Sequence, residues 1–386
     1  MYPLSGPQGI GGREEARGVD LAAAWANSHG GVHGRQIRLV RASAPRADAV
    51  PKAMALIRKG GASVVVGSHG STMSAAAAEV AARDRMLLWE TGAVGDLTAG
   101  GTKGAGTSFL RLAPMGANLG RAAIDFVHDQ WAPAAHAPAH LRYAVAYIDD
   151  AYGRSVGLGA VDQIKARGLT LAGTFNYDIT KVDFNELARR IGAVKPDVLF
   201  VSAYVDDGVA LRHATVTAHI PLLTSIGTSS SYCHPVFGQR LGVDAVGLFA
   251  SDKPDADHLN PDALQPEGRD ALAWASDQYR RQYHEAMTAP ALSGFSAAVA
   301  LFVHVLPRAA STAPVDVARA AVATKLDLGT LPNGAGLDLS PPGALDAGDN
   351  QRAASVIWEW VAPGQRAIVW PKAFATRDLL PLTPVR

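Results

Sequence analysis

Residues 62–98 read ASVVVGSHGSTMSAAAAEVAARDRMLLWETGAVGDLT. Val64, Val65 and Val66 are β-branched and the run stops at Gly67, so 64–66 reads as a short buried strand. Ser68, His69 and Gly70 form a loop. Ser71 or Thr72 then caps an alanine-rich helix over 73–83. A second apolar run, 86–89, makes another strand, and it ends in the small-residue turn Thr91-Gly92-Ala93. In a parallel α/β sheet both turns lie at the carboxyl edge, where such sheets bind ligands. Free N–H groups and hydroxyls at a helix start form a cradle for a carboxylate.

The rest of the chain extends this rhythm. Upstream, a glycine-rich loop runs through Gly12, followed by a helix over 14–27 with Val19, Leu21, Ala22, Ala23 and Trp25 turned inward. A strand at 37–40 and a helix at 47–58 come next. Downstream the pattern predicts helix 118–130, strand 143–148, a helix from the Asp149–Gly153 turn to 167–168, and strand 170–175. It continues with helix 184–191, strand 198–201, helix 208–217 and strand 222–226, then a loop at 227–231. Such βαβ alternation implies a mostly parallel sheet with helices on both faces. A strand at 246–251 leads to two long helices, 269–286 and 293–308. A shorter helix at 315–324 has Pro314 in its first turn. Strands 356–361 and 367–370, joined by Pro363-Gly364, read as a hairpin.

Bulk properties narrow the function. A chain of 386 residues has room for two domains or lobes. Its 48% hydrophobic and 18% charged residues are those of a globular protein. A net charge of +1, without a basic run, gives no field aimed at nucleic acid or a membrane. Cys233 stands alone, which excludes an intramolecular disulfide and a cysteine zinc cluster; it reads as an inert, half-buried thiol. No apolar run approaches the roughly 18–20 residues that span a bilayer. There is no phosphate-binding GxxxxGK[ST], no GxGxxG between strand and helix, no GxSxG elbow and no HExxH. No catalytic or metal residue is therefore named, and no cofactor is implied. His29 and His33 read as a solvated loop. Asp149-Asp150 and Asp206-Asp207 begin helices, where they complement the helix dipole or contact a polar ligand. Glu90 either accepts a cationic group or hydroxyl of a ligand or is buried against an arginine. Trp89 is either core or a wall of the ligand site.

Taken together, these motifs resemble the type I periplasmic binding proteins of ABC importers, in particular the branched-chain amino acid (Leu/Ile/Val) group. The likeness rests on Pro3-Leu4-Ser5-Gly6-Pro7, the stretch 67–74, Gly92-Ala93 with Leu97-Thr98, and Phe109-Leu110-Arg111. Further along it rests on Asp150-Ala151-Tyr152-Gly153, Tyr204 with Gly208, Ser293-Gly294-Phe295, and Gly348-Asp349-Asn350 ahead of the hairpin. The resemblance implies two Rossmann-like lobes with parallel sheets, joined by three crossing segments. Lobe one would hold 1–113 and 249–328, lobe two 114–248 and 329–386, with a ligand cleft between them. By position, Ser71, with Thr72 beside it, and the turn Thr91-Gly92-Ala93 would hold a ligand carboxylate, with Trp89 and Glu90 at its strand end. Tyr152 and Tyr204 would close from lobe two, and the loop from Ile226 to Thr228 would line the far end.

Three departures bear on the ligand. The family's threonine at the second turn falls at Ala93 or Val94. The acidic residue that meets an ammonium group in amino acid binders falls at Ile226. An aromatic of the first glycine-rich loop falls at Gly11, which implies a roomier pocket. A buried unpaired ammonium is costly, so a carboxylate without an amine, aromatic ones included, stands beside an amino acid as the expected ligand. Relatives also open with an apolar strand before the Pro-Leu-Ser-Gly loop, so a leader and that strand are expected upstream of Met1. The expected function is a periplasmic or membrane-attached extracellular solute receptor, with an ABC permease as its partner, no nucleic acid partner and no enzymatic activity. A cytoplasmic ligand sensor of the same fold is the alternative.

Overall fold

The computed structural model describes residues 1–96, 108–228 and 230–383. Leu97 and Thr98, named in the motifs above, and Ser229, within the loop expected at 227–231, lie outside them. The chain divides into two compact units, 1–114 with 253–354 and 115–252 with 355–386.

The first unit opens with α1 (Gly9–Ser28), then α2 (Val50–Lys59), β1 (Val64–Val66), α3 (Ser71–Asp84), β2 (Leu87–Glu90) and β3 (Phe109–Arg111). The three strands are parallel, in the order β1-β2-β3. Every residue of β2 and β3 is buried. Two expectations fail here. The glycine-rich stretch before residue 14 is the first turn of α1, not a loop. The alternating residues 37–40 form no strand, and the pairing nearby consists of isolated bridges, Val32 with Arg35 (antiparallel) and Tyr2 with Ser43 (parallel).

The second unit begins with α4 (Gly116–Phe126), which runs on through a π-helical turn (Val127–Trp131) into the short α5 (Ala132–Ala134). There follow β4 (Arg142–Ile148), α6 (Ala151–Ala166), β5 (Thr170–Tyr177), α7 (Phe184–Ala193), β6 (Val198–Ser202), α8 (Val205–Thr217), β7 (Thr224–Thr228), α9 (Pro235–Leu241) and β8 (Leu248–Asp252). The chain then returns to the first unit as α10 (Pro266–Tyr283), α11 (Ala289–Val299) and α12 (Pro314–Ala323). The hairpin β9 (Val356–Ala362) and β10 (Gln365–Trp370) completes the second unit's sheet, β10-β9-β8-β7-β6-β4-β5. Its five central and outer strands β8-β7-β6-β4-β5 run parallel, and the hairpin joins antiparallel through β8. Central strands buried on both faces explain why 143–148 and 198–201 read as continuous apolar runs.

The unit boundary differs from the expected lobes by one residue at 114, at 249–252, which belong to the second unit with β8, and most widely at 329–354. Residues 329–354, placed in lobe two by the sequence reading, belong to the first unit. They are pinned there by Gln265 N–H donating to the Gly329 carbonyl (2.9 Å) and Arg111 N–H to that of Gly348 (2.8 Å). The Arg111 guanidinium also binds Asp349 (2.8 Å), with both side chains buried.

Helix α1 packs closely on α11. A Cβ at Gly18 would stand 2.0 Å from the Ala291 carbonyl oxygen, so only glycine permits this approach. The helical stretch Ala289–Arg308 has a mean hydropathy of 1.8 and is long and apolar enough to cross a membrane, where the sequence reading found no run near that length. It is 83% buried in the fold, so its apolarity is that of a core helix.

Candidate functional site

In the first unit Ser71 is not the cap of α3 but its first residue, after Gly70 in extended backbone. Its side chain is 3% exposed, and its Oγ accepts the Gly95 N–H at 2.9 Å. Thr72 is exposed. The N–H groups of the first helical turn have no partners inside the helix, so this end keeps its capacity for an anion.

The turn after β2 is occupied differently from the expectation. Glu90 is fully buried, and its partner is neither an arginine nor an open cleft. Its Oε1 accepts the main-chain N–H groups of Thr91 (3.0 Å), Gly92 (2.9 Å) and Ala93 (2.8 Å), and that of His69 at 3.4 Å. Its Oε2 accepts the Ser68 N–H at 2.7 Å and the Ser74 hydroxyl. Burial and the nearby Glu15 charge push the Glu90 carboxyl up, against the hydrogen bonds that hold it down. The amides of Thr91, Gly92 and Ala93, expected to meet a ligand carboxylate, are thus given to Glu90.

The outer atoms of the same turn are engaged too. The Thr91 hydroxyl meets Tyr2 Oη (2.8 Å) and donates to Glu15 (3.2 Å), while its carbonyl accepts from Ser293 Oγ (2.6 Å). Lys253 Nζ donates to the Gly92 carbonyl at 2.9 Å, and Arg111 Nη1 to that of Gly95. Trp89 lies in the core, fully buried, with its indole N–H on the Ala297 carbonyl (2.8 Å). Ala93 is buried as well.

His69 corrects the expectation of a roomier pocket at Gly11. A Cβ at Gly11 would stand 2.4 Å from His69 Nε2, so the imidazole already fills that space. His69 adopts a φ of 78°, and its Nδ1 lies 3.3 Å from Oε1 of the fully buried Glu15. Sequence reasoning gave Tyr2, Glu15 and His69 no role. The available signal was Glu15 itself: a carboxylate at i, i+4 and i+7 spacing with Val19 and Ala22, on the buried stripe of α1.

In the second unit the strand ends bring four named residues together. Asp150 caps α6, accepting the Gly153 N–H at 2.8 Å, and also accepts the Tyr204 hydroxyl at 2.6 Å. The Tyr152 and Tyr204 rings pack with centroids 5.3 Å apart. Tyr152 is 3% exposed, and its hydroxyl reaches Thr228 Oγ1 (3.1 Å) and the Ala203 carbonyl (3.4 Å). Burial raises the Tyr152 phenol well above its ordinary range, so it stays a neutral hydroxyl. The segment 226–228, expected as a loop, is the end of strand β7. Ile226 is fully buried, between Phe200 and Phe249 in the sheet.

The helix-start aspartates divide. Asp149 pairs with Arg154 (2.6 Å) and the exposed Asp206 with Arg240 (2.5 Å). Asp207 is buried, accepts the Tyr177 hydroxyl at 2.5 Å, and is pushed up to about 6, chiefly by burial. Cys233 is buried rather than half-buried, with its thiol on Asp252 (2.5 Å).

Comparison with known proteins adds to this geometry. A family model described as "Periplasmic binding protein" matches residues 1–354. The Leu/Ile/Val-binding protein homolog 8 of Brucella abortus (strain 2308) is 29% identical over 256 residues, 65% of this chain and 62% of that protein. The match therefore spans less than two thirds of that relative's length. Among solved structures, an ABC transporter substrate-binding protein of Desulfitobacterium hafniense, in complex with Leu, aligns with a TM-score of 0.69 and 22% identity. The alignment covers 92% of this chain and 95% of that one. A solute binding protein of an R. palustris ABC transporter, in complex with benzoate, aligns with a TM-score of 0.74 and 17% identity, over 98% and 96% of the two chains. At such identities the likeness assigns the fold, which is the expected α/β fold of type I periplasmic binding proteins.

Proposed function

The chain belongs to the periplasmic binding protein family, and from that premise we propose that it is an extracytoplasmic solute-binding receptor of an ABC importer. Its ligand is a small carboxylate-bearing molecule, held at strand-end residues and passed to a membrane permease without chemical change. The observation that carries this reading is Ser71. Its oxygen is fixed by the Gly95 N–H, so the hydroxyl proton is the group left to give. It stands at a helix start whose first-turn N–H groups favour an anion. A ligand carboxylate there gains charge-assisted hydrogen bonds.

The turn 91–96 serves as a rigid wall rather than a donor set, and Thr72 contributes through its main chain. From the second unit, Tyr152 and Tyr204 supply a paired aromatic surface with Thr228 behind it. Ile226 offers no acceptor for an ammonium group, which supports acids lacking an α-amine. The relatives' ligands, Leu and benzoate, span both classes.

Mass spectrometry of whatever copurifies, followed by thermal ranking of amino acids and aromatic acids, tests the reading, since a ligand of the native state raises the unfolding midpoint. A rise produced by carboxylates and absent for their amides is expected. No response to any acid would overturn it.

A further inference from the structure

Arg111 ends β3 in the first unit and is fully buried. Its guanidinium reaches two acceptors at once: Nε donates to Asp349 Oδ1 at 2.8 Å, and Nη1 donates to the Gly95 carbonyl. Main-chain bonds fix the residue that carries the guanidinium. The Arg111 N–H donates to the Gly348 carbonyl (2.8 Å), and the Leu112 N–H donates to the Glu90 carbonyl (3.0 Å). Asp349 is itself buried. A buried ion pair adds little stability over apolar groups of the same volume, so stability alone does not account for a guanidinium here.

Gly95 stands between Arg111 and Ser71. Its carbonyl accepts from Arg111, and its N–H donates to Ser71 Oγ at 2.9 Å. Glycine has the freest backbone of any residue, so an N–H on glycine keeps its aim only where the residue is held from another side. A planar guanidinium with a charge-assisted bond supplies such a hold. We propose that Arg111 is a positioning residue for the ligand site: it clamps Gly95, whose N–H then fixes the Ser71 oxygen and leaves the hydroxyl proton for the ligand. The proposal rests on Ser71 as the donor to a ligand carboxylate. Arg111 acts through Gly95 and Ser71 and does not itself touch the ligand.

The test is a double-mutant cycle read by calorimetric titration with benzoate and with leucine, following the tighter acid. Arg111→Met with Asp349→Leu removes both buried charges together, an exchange that folds commonly accept. Arg111→Lys, which keeps the charge but lacks the fork, is the second variant. Each is expected to bind the acid roughly three- to tenfold more weakly than wild type. In a Ser71→Ala background the same changes should cost less than about twofold. NMR couplings that report χ1 of Ser71 should show one rotamer in wild type and averaging in both variants. Wild type that binds neither acid, or Ser71→Ala that binds as tightly as wild type, would sink the donor role and the proposal with it. An equal loss with and without the Ser71 hydroxyl, an unchanged affinity in the Arg111 variants, or a Ser71 side chain that keeps its single rotamer there would overturn the clamp alone.

Discussion

At the strand ends of the first unit Glu90 gathers the main-chain N–H groups of Ser68, His69, Thr91, Gly92 and Ala93. At those of the second unit, Asp150 takes one main-chain N–H and a tyrosine hydroxyl, and Asp207 takes a tyrosine hydroxyl. In one face a carboxylate knits backbone to backbone; in the other, carboxylates orient side chains. The first is therefore a fixed frame whose donors are already used, leaving Ser71 and the start of α3 as the part the proposed function assigns to a ligand. The second is a set of buried tyrosine hydroxyls, each held by a side-chain partner.

The largest effect that separates the two faces is expected at Glu90. Glu90→Ala leaves buried N–H groups without an acceptor and should destabilise the fold by about 4 kcal/mol in denaturant unfolding. A variant with unchanged stability and only weakened ligand binding would break the comparison, returning Glu90 to the ligand.

Asp207 comes next. Burial raises its carboxyl to about 6 in the folded chain, above its ordinary value. The folded chain therefore holds a proton that the unfolded chain has released, and wild type loses stability relative to Asp207→Asn as pH rises from about 4 to 6. The difference amounts to up to roughly 3 kcal/mol. Unfolding at stepped pH measures it, and a gap that does not move with pH would contradict the burial argument.

Gly18→Ala probes the frame from behind, because α1 carries Glu15 to the turn and lies against the Ala291 carbonyl. The added methyl should cost about 2 kcal/mol in the same unfolding assay. A neutral result would show that α1 can shift without harm and that the first face is not fixed. Tyr204→Phe should cost the least, about 1 kcal/mol, by removing one hydroxyl from Asp150. A loss as large as that at Glu90 would mean the second face is as rigid as the first.

Much of this fold is legible in the chain. Runs such as Val198, Leu199, Phe200 and Val201 are buried on both faces, and Pro363-Gly364 marks the hairpin turn unaided. The failures have physical causes. Gly9, Gly11 and Gly12 read as loop-formers by propensity, yet they sit in α1, and at Gly11 and Gly12 neighbouring groups come too close for a side chain. Residues 37–40 alternate as a strand does but find no partner strand. Ser71, Tyr152 and Tyr204 were readable as residues near strand ends, which is where the structure has them. The role of Glu90 was not, because its partners are main-chain N–H groups that every residue type carries. The filling of the Gly11 space by His69 depends on a contact 58 positions away in sequence, which no local pattern records.

The most direct measurement is a calorimetric titration of wild type and Ser71→Ala with leucine and with benzoate, alongside their unfolding midpoints. At least one acid should bind wild type, and Ser71→Ala, its midpoint lowered by loss of the acceptor for the Gly95 N–H but still folded at the assay temperature, should bind it at least tenfold more weakly. Equal affinity in the two proteins would contradict the account, because the one hydroxyl assigned to the carboxylate would then be idle.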